Sequence, residues 1–240
     1  MESTGWPLPR ITHLVARLHG WEDAVQGPYT PDRERLQIAA RNLDDAQLAE
    51  SAIPSYLHSN SIIQGLFEAR GNIVTNWILS ANPRDVVDLG CGAGILIDCL
   101  HEHGIETTVG LDSVPAAASA YLDADKGEIL RGDVCQLPLE SNSFDVAVAM
   151  DVLEHLDTIE RAVDEIQRIL RPSGLLIVSG PTESRLYKAG RIVAGFSDDY
   201  HSLTVAEVEQ TIEDKFSVYD RRELKVGGRL FRLTAYSTET

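Results

Sequence analysis

Cysteine is scarce: the 240 residues hold three, Cys91, Cys99 and Cys135, with no CxxC pair and no even set. Neither a disulfide framework nor a thiolate zinc site is expected. Positive charge is short as well, with 21 Lys plus Arg against 37 Asp plus Glu and a net charge of −16. A field of that sign repels phosphate backbones and anionic lipid, which argues against nucleic-acid or membrane-surface binding as the main function. No apolar run approaches the length of a bilayer span, and the opening MESTGWPLPR has neither a basic nor an apolar leader segment. Internal repeats and low-complexity tracts are missing too. What is present, 43% hydrophobic and 24% charged residues, is the make-up of one globular domain, or one domain with an appended segment. A reducing, cytoplasmic setting is expected.

The chain has two rhythms. Up to about Ala81 it is helical in tendency, with PDRERLQIAARNLDDAQLAE (31–50) reading as an exposed helix with Pro31 at its first position. SIIQGLFEARGNIVTNWIL (61–79) is more apolar and should pack on a neighbour. From Arg84 short apolar runs alternate with helical stretches: DVVDLG (85–90), TTVGLD (107–112), EILRGD (128–133), FDVAVAM (144–150) and GLLIVSG (174–180). Strands separated by helices make a parallel sheet covered on both faces. Residues 181–203 read as an irregular insertion and 204–216 as a helix. SVYDRREL and LFRLTAYS are then two closing strands joined through Val226-Gly227-Gly228, a hairpin signal that makes the last strand antiparallel. The expectation is a doubly wound α/β sheet of seven strands, with residues 1–81 as a helical segment and 82–240 as the core.

VVDLGCGAG (86–94) is the strongest local signal. Gly90, Gly92 and Gly94 stand between a buried strand and a helix, where a ligand can approach the backbone and the helix N-terminus favours a negative group. The spacing is GxGxG, not the GxGxxG of the dinucleotide fingerprint, and a tight strand-to-helix turn is the plain alternative. Asp112 closes the second strand, at a distance from the glycines suited to accepting both ribose hydroxyls. Asp133 closes the third strand and can accept from an adenine amine, and Asp151 follows the fourth. Each acid taken singly is equally well a helix cap. Together they put ligand-type groups at successive strand ends on one edge, where open α/β sheets bind ligands.

In this order and spacing, VVDLGCGAG, GLDS, RGDV, FDVAVAMDVLEHL and LRPSGLLIVSGP resemble a class I S-adenosylmethionine-dependent methyltransferase with its Rossmann-like sheet. The likeness is greatest to the bacterial small-molecule and quinone-type branch, and it runs from about Arg84 to Ser237. It implies S-adenosylmethionine as cofactor, leaving as S-adenosylhomocysteine. By the same resemblance Asp88, Gly90, Cys91, Gly92 and Gly94 line the methionine part, and Asp112 and Ser113 meet the ribose. Asp133 and the Val134 amide read the adenine, while Met150 and Asp151 border the sulfonium. Arg70, in FEARGN, is the cation offered to the methionine carboxylate; an arginine snorkelling over the sheet edge is the other reading.

Transfer of a methyl from a sulfonium is an in-line displacement in which orientation does much of the work. A base is needed where the acceptor arrives protonated. Three readings stay open. His155 or His201 deprotonates an acceptor hydroxyl; or Asp151, Glu154, His155 and His201 hold a divalent metal; or Glu154 and His155 only cap and brace their loop. The metal reading follows a likeness to the E-x-x-E-H sites of some methyltransferases, from which this chain departs by Asp151 in place of the first Glu. The function expected is methylation of a small organic acceptor, at oxygen before nitrogen or carbon. The N-terminal helices and residues 181–203 would form a lid on the substrate side, with aromatics such as Trp21, Tyr29, Tyr56, Phe67, Tyr187 and Phe196. The alternative in another class is a non-catalytic cofactor-binding scaffold, and a homodimer through the edge hairpin or the lid stays open. A nicotinamide dehydrogenase loses on the glycine spacing and the closing hairpin.

Overall fold

The computed structural model describes residues 27–182, 203–225 and 228–239. His201, most of the 181–203 insertion, Trp21 and Val226-Gly227 lie outside them. The first helices are α1 (Arg33–Arg41), α2 (Asp45–Glu50), α3 (Ile53–Tyr56) and α4 (Ser61–Ala81). One exposed helix over 31–50 is not what forms. Pro31 stays outside, because Asp32 caps α1 by accepting the Glu34 and Arg35 amides. The chain then breaks at Asn42, and Asp44 with Gln47 starts α2 through a reciprocal capping box.

The strands are β1 (Asp85–Leu89), β2 (Thr107–Asp112), β3 (Glu128–Arg131), β4 (Phe144–Met150), β5 (Leu170–Pro181), β6 (Ser217–Lys225) and β7 (Arg229–Ser237). Between them run α5 (Ile95–Glu102), α6 (Ala116–Tyr121), α7 (Ile159–Ile169) and α8 (Val205–Glu213). The seven strands lie in the order β3-β2-β1-β4-β5-β7-β6. β1 pairs in parallel with β2 and β4, and β7 is antiparallel to both β5 and β6, as the closing hairpin predicts. Strand β5 starts four residues earlier than the sequence suggests: α7 ends at Ile169, and Leu170 at once pairs with Phe144 before the register shifts. Ser173, at φ 63°, turns the chain inside that early segment.

All five residues of β1 are buried, the pattern of a strand covered on both faces. Alternate side chains therefore feed two cores. Val86, Val146, Val148, Ile177 and Leu233 pack with Leu36, Ile53, Leu66, Val74 and Ile78 of the N-terminal helices. Val87, Ala147, Ala149, Leu176 and Val178 face Val163, Ile166 and Ile169 of α7 and Val208 and Ile212 of α8. A polar clamp adds to the first face. Asp98 of α5, 5% exposed, receives Arg35 of α1 at 3.0 Å, the Tyr121 hydroxyl at 3.0 Å and Lys126 at 2.5 Å. The strand order reverses between the parallel neighbours β1 and β4, so a crevice opens at their carboxyl ends.

Candidate active site

That crevice is a cavity of about 770 Å³. Asp88, Gly90, Cys91, Gly92, Asp112, Ser113, Asp133, Val134, Met150 and Asp151 all border it, as do Arg70, Glu154 and His155. Gly94 does not; it sits one step behind, as the N-cap of α5.

The glycine loop has a geometric reason for its composition. Gly90, Gly92 and Gly94 have φ of 71°, 53° and 75°, where a side chain is strained. A Cβ at Gly90 would stand 2.3 Å from Val152 Cγ2, whereas beside Gly92 the nearest atom is the Ala52 nitrogen at 3.7 Å. Gly92 therefore leaves an open approach to backbone. The Gly90 and Cys91 amides donate to the Leu111 carbonyl at 2.7 and 3.1 Å, tying the loop to the end of β2. The Cys91 thiol is 8% exposed and pushed well up by burial first, then by the Asp88 and Asp112 charges, so it is an inert packing group.

The acids at the strand ends are fixed in similar ways. Asp112 accepts the Gly92 amide on Oδ2 at 2.9 Å and the Val114 amide on Oδ1 at 2.8 Å. Asp133 accepts the Cys135 amide at 2.8 Å. Both thus close local turns as well as facing the cavity, and their remaining lone pairs are available to a ligand. Asp88 differs: it is 4% exposed, and burial, then the Asp112 charge, pushes its carboxyl up to about 8. A cavity floored by a glycine loop with open backbone, walled by a buried acid and two half-occupied carboxylates, fits a nucleoside bearing an amino-acid tail.

Arg70, expected to meet the methionine carboxylate, borders the cavity but pairs inside it. Its guanidinium lies over Phe231 at 4.2 Å and Phe67 at 5.0 Å, and Nη2 donates to Asp151 Oδ2 at 2.6 Å. Asp151 is accordingly turned toward α4. Glu154, 4% exposed, and His155, exposed, belong to a single 3-10 turn (Leu153–His155) after β4. Among the described residues no group of three or more His, Cys, Asp or Glu gathers to hold a metal ion. Tyr29 and Tyr56 complete the wall, their hydroxyls 2.7 Å apart. Burial, before any other cause, raises both phenols, Tyr56 to about 12, so each stays protonated at neutral pH. The Ala52–Ser55 segment, close to Gly92, and Phe231 from β7 carried no signal in the sequence; they arrive by tertiary packing alone.

The pattern of a methyltransferase domain matches residues 87–178. A probable S-adenosylmethionine-dependent methyltransferase of Mycobacterium tuberculosis is 39% identical over 101 residues, 41% of this chain and 36% of the relative. Another, of Mycolicibacterium smegmatis, is 32% identical over 155 residues, 63% of this chain and 59% of the relative. The chain thus spans between about a third and three fifths of the length of these curated relatives. In fold it is similar to the N-methyltransferase NodS of Bradyrhizobium japonicum, a structure holding S-adenosylhomocysteine. That match has a TM-score of 0.64 at 17% identity and covers 90% of this chain and 100% of the other. Residues 87–178 thus carry the pattern of a methyltransferase domain, together with the glycine loop, the strand-end acids and the antiparallel β7, in a chain similar to S-adenosylmethionine-dependent methyltransferases.

Proposed function

We propose that the protein transfers a methyl group from S-adenosylmethionine to a small organic acceptor in the cytoplasm, with a hydroxyl as the methylated group. One observation carries the reading: the groups suited to each part of the cofactor border a single cavity at the sheet's switch point, with Asp112 bonded directly to the Gly92 amide. When bound, the cofactor supplies a methyl activated on a sulfonium. Asp88 and the Gly90–Gly92 loop hold the amino-acid tail, Asp112 and Ser113 the ribose, and Asp133 with the Val134 amide the base. The buried rings of Tyr29 and Tyr56 and the half-buried Phe67 keep water from the opposite wall. His155 stands exposed at the rim, where an imidazole can pass to solvent the proton that a hydroxyl acceptor releases. The metal-dependent reading is disfavoured because Asp151 is already engaged by Arg70.

The test is thermal unfolding and calorimetry with S-adenosylhomocysteine, with NAD as the control ligand. At one hundred times its dissociation constant a ligand that binds the folded state alone adds about 2.7 kcal/mol of stability. Stabilisation by S-adenosylhomocysteine and not by NAD supports the reading; no response to S-adenosylhomocysteine overturns it. Cofactor binding without turnover on any acceptor panel supports the non-catalytic scaffold instead.

A further inference from the structure

The glycine loop, Asp112 and Asp133 border the cavity together with a second set of groups, Met150, Asp151, Arg70, Tyr29 and Tyr56. Asp151 is the most constrained of these. Its φ of 55° places it in the left-handed region that residues other than glycine seldom adopt, a strain that persists only where the surroundings enforce it. The Asp151 amide donates to the Ser179 carbonyl at 2.8 Å, and its Oδ2 accepts from Arg70 at 2.6 Å. Its Oδ1 is buried and takes no hydrogen bond from the described residues. A shielded carboxylate oxygen without a donor is costly, so a group held this way points to a partner that arrives with the ligand.

The neighbours supply the complement. Arg70 is 4% exposed and stacked over Phe67 and Phe231, which leaves its guanidinium little freedom. The Tyr29 and Tyr56 hydroxyls share one hydrogen bond, so of their two protons one is used between them and one is left to donate. The Arg70 and Asp151 charges both act on the Tyr56 hydroxyl, so all four groups belong to one corner.

We propose that Asp151 Oδ1 anchors the methyl acceptor by accepting the hydrogen bond of its hydroxyl or amine group, and that Arg70 is the positioning residue that holds the carboxylate in place. The proposal rests on the methyl-transfer reading above and names the acceptor class: a small molecule with an aromatic or apolar body against Tyr56 and Phe67, carrying an O–H or N–H at the methylated atom. A carboxylate or phosphate there brings no donor and meets a like charge.

The test uses the full chain saturated with S-adenosylhomocysteine and three probes, phenol, aniline and benzoate, titrated by ligand-observed NMR. Asp151→Asn suits the measurement, since Asn tolerates the same left-handed backbone and keeps one oxygen for Arg70 while placing a donor in the corner. The wild-type protein binds phenol and aniline about five-fold more tightly than benzoate. The variant reverses that order while its S-adenosylhomocysteine affinity stays within about two-fold. An unchanged order in the variant, equal wild-type binding of benzoate, or no binding of any probe to the loaded protein overturns the proposal. Failure of the wild type to bind S-adenosylhomocysteine overturns the underlying reading instead. Arg70→Gln shrinks the phenol-over-benzoate ratio and Arg70→Lys restores part of it. If Arg70→Gln instead loses cofactor affinity and keeps the ratio, the positioning role is wrong.

Discussion

Two aspartates at adjacent strand ends behave differently because one is solvated and the other is not. Asp112, half-buried, accepts two backbone amides and borders the cavity. Asp112→Ala removes both bonds, and calorimetry should show S-adenosylhomocysteine bound more weakly by about 1–3 kcal/mol; unchanged affinity refutes the ribose assignment. Asp88 lies 4% exposed beneath it, with its carboxyl raised from 3.8 to about 8 by burial and then by Asp112. Between those values the folded ligand-free protein holds a proton that the unfolded chain has released. Its contribution is therefore complete below 3.8 and is lost as pH rises toward 8. Stability scans of wild type against Asp88→Asn between about pH 5 and pH 8 should show the wild type falling more steeply, by at most about 1.4 kcal/mol per pH unit. Parallel curves would mean that Asp88 ionises normally. The acids themselves were legible from spacing, whereas their unlike environments were not, since burial is a property of the assembled sheet.

Among the elements, α4 brings most to the site that the pattern of β-strands does not. It carries Phe67 and Arg70 on the face toward β7, and Gly71 gives room for the Tyr29 ring. A Cβ at Gly71 would lie 2.2 Å from Tyr29 Cδ1. Gly71→Ala should improve helix propensity by about 1 kcal/mol, yet urea unfolding should show a net loss of about 1–3 kcal/mol, because Tyr29 is forced off its seat. A gain in stability would mean that Tyr29 relocates freely. The sequence marked 61–79 as an apolar helix that must pack on something, and the structure extends it to Ser61–Ala81 with Asn60 and Asn82 as its caps. The helix over 31–50 was misread because capping competes with periodicity: Asp44 and Gln47 restart the chain where the apolar pattern alone runs on. The basic residues of the β6–β7 hairpin pair with an acid of α8, Arg221 and Arg232 with Glu209 at 3.3 and 2.6 Å.

At the scale of the molecule, helices from the N-terminal third and strands from the last two thirds bury one another. Leu36, Ile53 and Ile78 share a core with Val146, Ile177 and Leu233, and the Asp98 clamp fastens α1 to α5 across it. Scanning calorimetry of the full chain should give one transition with matching calorimetric and van't Hoff enthalpies; two resolved transitions would show that residues 1–81 unfold by themselves. The sequence alone determined the alternation of strands and helices from Arg84 onward, the antiparallel end and the acids along one edge. Each of these depends on local periodicity, turn chemistry and the right-handed crossover rule, which leave marks at short range. Tertiary structure alone decided that Arg70 meets Asp151, that Phe231 stacks on that arginine, and that Tyr29 reaches Tyr56. These partners stand 81 and 27 residues apart for the ion pair and the hydroxyl pair. Contacts at such separations are fixed by how layers pack, a free-energy balance over the whole core that no local pattern records.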